Sequence, residues 1–311
     1  MVSTDDARKR FDVREALAFG AIYLLWGGTF LAIRIAVLEI PPFFTAGLRF
    51  SIAGTLLYGV MRARGQPRPS HTEWRGLSLI GLCMFVATYG PLFWAEQYVT
   101  SSMTAIIEAT LPITTIVLEV FVFRTQSLQW RLVFGVGAGF SGVALLLVHN
   151  GAQHLALIPC GVILAAGGAW SLGAVLSGRL ALPTSRPLTA GAEMMLGGAG
   201  LLVISAVSGE MHPLPHITLR AALALMYLVI FGSLIAYTAY VWLLGRFSAT
   251  RVSSHAYVNP VVAMALGYFI AGDVIAIRSM FASLMIVFSV FLIHTGASKR
   301  EAPTGGVCVH D

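Results

Sequence analysis

The chain has 311 residues, of which 57% are hydrophobic and only 11% charged, with a mean hydropathy of +0.80. A soluble domain is typically about 25% charged, so this chain has too little charge to cover a water-facing surface and belongs in a membrane. The net charge of +6 does not point to nucleic acid, because the basic residues sit in short loops between apolar runs, where they govern topology.

Ten apolar runs follow one another, at about 16–37, 43–61, 76–95, 102–123, 130–149, 156–178, 188–207, 220–244, 252–271 and 279–296. Each is near the ~20 residues that cross a ~30 Å hydrocarbon core. The first run follows basic residues, but it is too long for a signal peptide and has no clear cleavage site, so it reads as a membrane helix. Short loops join the runs and leave no room for a separate soluble domain. Sixteen Lys and Arg fall on one side, among them Arg8, Lys9, Arg62, Arg124, Arg179, Arg246 and Arg300. Only Arg34, Arg220 and Arg278 fall on the other, and Arg49 lies within a helix. This bias places both termini in the cytoplasm. Cys83, Cys160 and Cys308 form no disulfide or metal spacing.

Two runs carry the least lipid-like sequence. The ninth contains Ser253-Ser254-His255-Ala256-Tyr257-Val258-Asn259-Pro260, and the fourth contains Glu108-Ala109-Thr110-Leu111-Pro112. Polar groups and a proline inside an apolar helix suit a helix that lines a wet cavity. Pro112 and Pro260 lie 148 residues apart. At an offset of 144, Trp26 meets Trp170 and Thr45-Ala46-Gly47 meets Thr189-Ala190-Gly191. These matches read as a duplication of a five-helix unit. Because five is odd, the second unit enters the membrane inverted, an arrangement that suits alternating access.

Further residues carry a family resemblance: Trp26-Gly27-Gly28-Thr29-Phe30, Leu48-Arg49-Phe50, Ala95-Glu96-Gln97 and Ala256-Tyr257-Val258-Asn259-Pro260-Val261. In this order the sequence resembles the EamA family of the drug/metabolite transporter (DMT) superfamily, in particular its YedA-like and PecM-like exporters, from about residue 16 to 296. The resemblance implies an all-α membrane protein with ten transmembrane helices as two inverted five-helix EamA repeats. The division is a cytoplasmic tail over 1–15, repeats over 16–149 and 150–296, and a second cytoplasmic tail over 297–311. It also implies secondary export of small metabolites across a bacterial inner membrane, through a central cavity lined by the first, third, fourth, sixth, eighth and ninth helices. Amino acids or their derivatives, or small amphipathic compounds, are the expected substrates. Glu108 and His255 depart from the pattern, standing where small or aliphatic and aromatic or hydroxyl residues, respectively, are usual.

An ionisable group in the middle of a membrane helix costs about 2.5–3.5 kcal/mol on insertion scales, so Arg49, Glu108, Glu193 and His255 are candidate functional residues. Counting ~1.5 Å per residue puts Arg49 and Glu108 in the outer third and Glu193 and His255 in the inner third. This depth suggests two pairs, Arg49 with Glu108 and Glu193 with His255, acting as gates that respond to protons; static pairs or snorkelling side chains are the alternative. Glu96 is either an interfacial carboxylate or a gate partner of Arg34 or Arg49. Trp26, Tyr89, Trp170, Tyr237 and Tyr257 are aromatic candidates for the cavity or for packing. Asn259, Pro112 and Pro260 complete the candidate binding or gating set.

The chain's two lysines, Lys9 and Lys299, do not follow glycine, so there is no Walker A loop. No cofactor or metal is expected. An integral membrane enzyme acting on a lipid-linked substrate is the alternative function, with no His-Glu-x-x-His motif to support it. A channel is a third. The small-residue faces Gly135–Gly142 and Gly197–Gly200 suit close helix packing, within one chain or in a homodimer.

Overall fold

The computed structural model describes residues 12–147, 157–210, 217–266 and 277–296. The expected tails, Cys308 and the ends of the fifth and ninth runs lie wholly or largely outside these residues. Among the described residues there are helices and turns and no β-strand.

The rods are α1 Val13–Val37, α2 Pro42–Ala63, α3 His71–Ala95, and α4, which runs as Ser101–Glu108 and resumes as Leu111–Val122. They continue with α5 Trp130–Leu147, α6 Leu157–Leu176, α7 Arg186–Val207, α8 Leu219–Leu244, α9 His255–Leu266 and α10 Ile277–Gly296. Among the described residues α1, α2, α3, α6, α7 and α8 are each long and apolar enough to cross a membrane. The fourth and tenth contain shorter apolar helices, Leu111–Val122 and Leu284–Gly296.

Local signals set several starts. Ser70 and Glu73 form a reciprocal capping box at the head of α3. Thr218 caps α8 by accepting from the Ala221 N–H. The outward faces carry what a soluble protein would bury. Leu17, Leu24 and Leu31 form an exposed stripe at sevenfold spacing on α1, continued by Leu38 just past its end, and Phe281, Leu284, Phe288 and Phe291 form one at spacings of three and four on α10. Lipid solvates such stripes at no cost, so the interior is free to hold polar groups.

The closest packing is between matching helices. Along α2 and α7 the contacts run Gly47 to Leu202, Gly54 to Met195 and Tyr58 to Gly191, so the numbers rise on one helix as they fall on the other. The two helices are therefore antiparallel and cross near their midpoints. The α5–α10 pair repeats this, with Gly135 against Ile293, Gly139 against Ser289 and Gly142 against Ile286. Gly135, Gly139 and Gly142 of one small-residue face and Gly197, Gly198 and Gly200 of the other are spent inside the chain, whereas a Cβ on Gly137 would meet nothing within 4 Å. A Cβ on Gly191 would stand 2.7 Å from the Tyr58 nitrogen, closer than atoms pack, so only glycine admits this approach.

The remaining neighbours come in matched sets. Helix α3 packs on α6 as α8 packs on α1, α4 packs on α6 as α9 packs on α1, and α2 packs on α8 as α7 packs on α3. Replacing each helix by the one five places along exchanges the members of each set, as a two-fold relation between the halves demands.

Candidate functional site

Where α1, α3, α4, α6 and α9 converge, a cavity of about 40 Å³ remains. That admits a few waters. Its wall is formed by Trp26, Thr29, Phe30 and Ile33 of α1, Thr88, Tyr89 and Leu92 of α3, Glu108 and Leu111 of α4, Trp170 of α6, and His255 and Asn259 of α9.

Helix irregularities position these side chains. Helix α1 breaks at Gly28, and the Thr29 hydroxyl stitches the break by donating to the Trp26 carbonyl at 2.7 Å. Gly27 faces α9: a Cβ there would stand 2.6 Å from the Val262 side chain. This glycine brings Asn259 and His255 up to Trp26. Helix α4 breaks between Glu108 and Leu111. Pro112, in the first turn of the second segment, has no N–H to give the Glu108 carbonyl four residues back. The break therefore falls where Glu108 enters the cavity. Wide π-turns interrupt α3 at Leu82–Val86, α4 at Leu118–Val122 and α8 at Leu228–Tyr237. Pro260 behaves differently: it sits inside the continuous helix His255–Leu266, and the local break precedes His255.

An aromatic cluster floors the cavity. Trp26 meets Trp170 with centroids 5.7 Å apart and His255 with centroids 4.7 Å apart. Tyr240 lies behind them, 5.0 Å from Trp170 and 5.2 Å from Trp26. The indole of Trp26 is fixed by donating to the Gly232 carbonyl at 2.9 Å. Among the described residues, neither ring nitrogen of His255, nor Asn259 Oδ1, nor Glu108 Oε1 has a hydrogen-bond partner.

The charge pairs suggested by depth are not formed. The ion pairs among the described residues are Arg246 with Asp12 and Glu15, at 3.5 and 3.7 Å. Arg49 donates from Nε to Ser233 Oγ at 2.8 Å, and its Cζ lies 4.5 and 5.2 Å from the Phe50 and Tyr89 ring centroids. Glu193 instead accepts from the Tyr237 hydroxyl at 2.7 Å, beside a second void of about 10 Å³ that Arg186 also lines. Glu108 and His255, assigned to opposite thirds, line one cavity. Depth along a helix says nothing about the face a residue occupies, and the π-turns and breaks rotate that face.

Other candidates fall elsewhere. Glu96 is buried at the end of α3, where Arg34 donates to its backbone carbonyl rather than to its carboxylate. Tyr257 turns away from the cavity, donates to the Val136 carbonyl at 3.1 Å and packs between α5 and α10. Helix α8, expected to line the cavity, stands one layer behind it through Tyr240 and Tyr237. Sequence reading missed Thr29, Phe30, Ile33, Thr88, Leu92 and Leu111. Thr29, within Trp26-Gly27-Gly28-Thr29, and Thr88, beside Tyr89, had adjacent signals; the apolar ones had none.

A cavity with unpaired polar groups inside a helical bundle of apolar outer face, with matched halves packed about it, is the build of a polytopic membrane transporter, and comparison with known proteins agrees. The EamA-like transporter family matches residues 15–148 and again 157–295. The chain is 36% identical over 285 residues to the "Uncharacterized inner membrane transporter YedA" of Escherichia coli K12, covering 90% of each chain. It is 23% identical over 296 residues to the "Probable amino-acid metabolite efflux pump" of the same strain, covering 90% of this chain and 95% of that one. One solved crystal structure, at 19% identity, shares the fold with a TM-score of 0.72 over 89% of this chain and 95% of its own. The chain belongs to the EamA-like transporter family and carries two copies of its repeat.

Proposed function

We propose that this protein is a secondary exporter of small metabolites in a bacterial inner membrane, working by alternating access between two inverted five-helix repeats. The observation that carries the reading is the convergence of Glu108, Asn259, His255, Trp26 and Trp170, drawn from both repeats, on one internal cavity. The antiparallel packing of α2 on α7 and of α5 on α10 supports the inversion. In this reading all ten helices span the bilayer, the repeats occupy 16–149 and 150–296, and both termini and the tails beyond residues 15 and 296 are cytoplasmic.

A cavity of a few waters is far below the roughly 300 Å³ of a small-molecule pocket, so loading requires the halves to part. Arg34 with Glu96, and Arg49 with Ser233 and Tyr89, would part on the outer side. Glu193 with Tyr237 would part on the inner side. The substrates are amino acids or derivatives, or small amphipathic compounds. Protons are the candidate coupling ion, through Glu108, Glu193 or His255. A homodimer would need a surface other than Gly135, Gly139 and Gly142, which face α10.

Counterflow in proteoliposomes, with labelled amino acids and amphipathic cations and with or without a pH gradient, tests the reading. Saturable exchange supports a carrier. Flux that does not saturate would make it a channel, and chemical conversion of the substrate would make it an enzyme.

A further inference from the structure

The charge at the cavity wall is of one sign, and the unspent polar atoms beside it are mixed. Three donors of its wall are already used: Trp26 Nε1 gives its proton to Gly232, the Thr29 hydroxyl to Trp26, and the Thr88 hydroxyl to the Cys83 and Ala166 carbonyls at 2.8 and 3.1 Å, while the Trp170 indole N–H is open. The open atoms are Glu108 Oε1, Asn259 Oδ1, Trp170 Nε1 and the two nitrogens of His255. Glu108 is the one carboxylate among the described residues of the wall, and no Lys or Arg is among them. Glu108 Oε1 lies 3.6 Å from where Gly167 would carry a Cβ, so it reaches across from α4 to α6 beside Trp170. His255 and Asn259, each at least nine-tenths buried, come in from α9.

The nearest guanidinium is held apart. Arg49 is bound to Ser233, and its charge lies against the Phe50 and Tyr89 rings. Tyr89 and Thr29 form the wall in front of it. An entering anion would meet, among the described residues of the wall, a carboxylate with no cation to oppose it, and only the neutral Trp170 indole and His255 imidazole as open donors. An entering ammonium brings three donors and no acceptor, and finds two oxygen acceptors among indole and phenol rings, whose faces attract cations.

We propose, building on the carrier reading above, that this cavity recognises a protonated amine, with Glu108 as its counter-ion and Asn259 as a second acceptor. Glu108 is then the residue that determines specificity, and carboxylates without an amine are rejected.

Three probes of one shape test this: 2-phenylethylamine, 2-phenylethanol and phenylacetate. Each is titrated against the full-length protein in nanodiscs by tryptophan fluorescence, and labelled 2-phenylethylamine is followed in counterflow. The amine is expected to bind saturably and at least about tenfold more tightly than phenylacetate. Glu108→Gln is expected to abolish the preference for the amine over the alcohol, while Glu108→Asp retains part of it. Phenylacetate binding as tightly as the amine, absence of amine binding, or an unchanged amine preference in Glu108→Gln would each overturn the proposal. If Glu108→Gln fails to fold, the ranking of the three probes on the native protein decides. Saturable counterflow of other metabolites without preference for amines would overturn this inference and leave the carrier standing. Absence of counterflow with every metabolite tried would remove the carrier reading itself.

Discussion

Trp26 and Trp170 meet edge to face, with ring centroids 5.7 Å apart, at matching places of the two repeats. A residue and its repeat equivalent can touch only near the axis that relates the halves. This contact therefore marks the centre of the bundle, and the cavity lies against it. The two indoles are not held alike, since Trp26 also donates to Gly232 on α8. Trp26→Phe keeps most of the ring area and leaves that carbonyl without its donor. Such a loss costs about 1–3 kcal/mol. Thermal unfolding in detergent should show it as a lowered midpoint; an unchanged midpoint would mean that the hydrogen bond contributes nothing net.

Arg49 and Glu193 also occupy matching places, each buried and each set against a tyrosine, Tyr89 and Tyr237, that match one another at an offset of 148. One half has a cation where the other has an anion. The Tyr237–Glu193 bond, at 2.7 Å, is a direct test of coupling. A double-mutant cycle of Tyr237→Phe and Glu193→Gln should give an interaction energy of about 1 kcal/mol or more. A value near zero would show that the two groups are neighbours without energetic consequence.

Glu119 stands among apolar residues near the end of α4, where a carboxylate facing lipid would be costly. It is buried instead, and its two oxygens accept from the Ala249 and Thr250 N–H groups at 3.0 Å each, at the head of the single turn Ala249–Val252 that leads into α9. A carboxylate there supplies two acceptors to otherwise unpaired donors. Glu119→Ala removes both and should cost roughly 2–3 kcal/mol, while Glu119→Gln, with one amide oxygen, should cost less. The order of the melting temperatures, native above Gln above Ala, is the observation that counts.

Much of the architecture was legible because lipid imposes it. An apolar run of about 20 residues has few alternatives in a bilayer, so the eighth run, read as 220–244, forms Leu219–Leu244, and the seventh, read as 188–207, forms Arg186–Val207. The cavity was legible where chemistry was out of place: Glu108, His255 and Asn259 have no reason to face lipid, and all three face inward. What could not be read was rotation. Tyr257 lies two residues from both His255 and Asn259, yet a helix turns about 200° over two residues, and it points into the α5–α10 interface. The pairing of Arg49 with Glu108 failed for the same reason. Pro112 marked a break and Pro260 did not, because a proline tells which carbonyl loses its donor but not whether the helix stops there.

The antiparallel seam of α2 and α7 yields the last prediction. A Cβ on Gly54 would lie 2.7 Å from the Met195 Cα and 2.8 Å from the Gly191 carbonyl, backbone atoms that move only if a whole helix moves. Gly59, five residues further along the same helix and so on another face of it, has nothing within 4 Å of that position. Gly54→Ala should therefore destabilise by about 1–3 kcal/mol through overpacking. Gly59→Ala should stabilise slightly, since alanine favours helix over glycine by about 1 kcal/mol. The two variants add the same methyl group to the same helix, so a difference in their melting temperatures isolates the contact with α7. If both variants melted alike, the two halves would have to be held together by something other than this seam, and the placement of the two-fold relation at the crossing of α2 and α7 would fall with it.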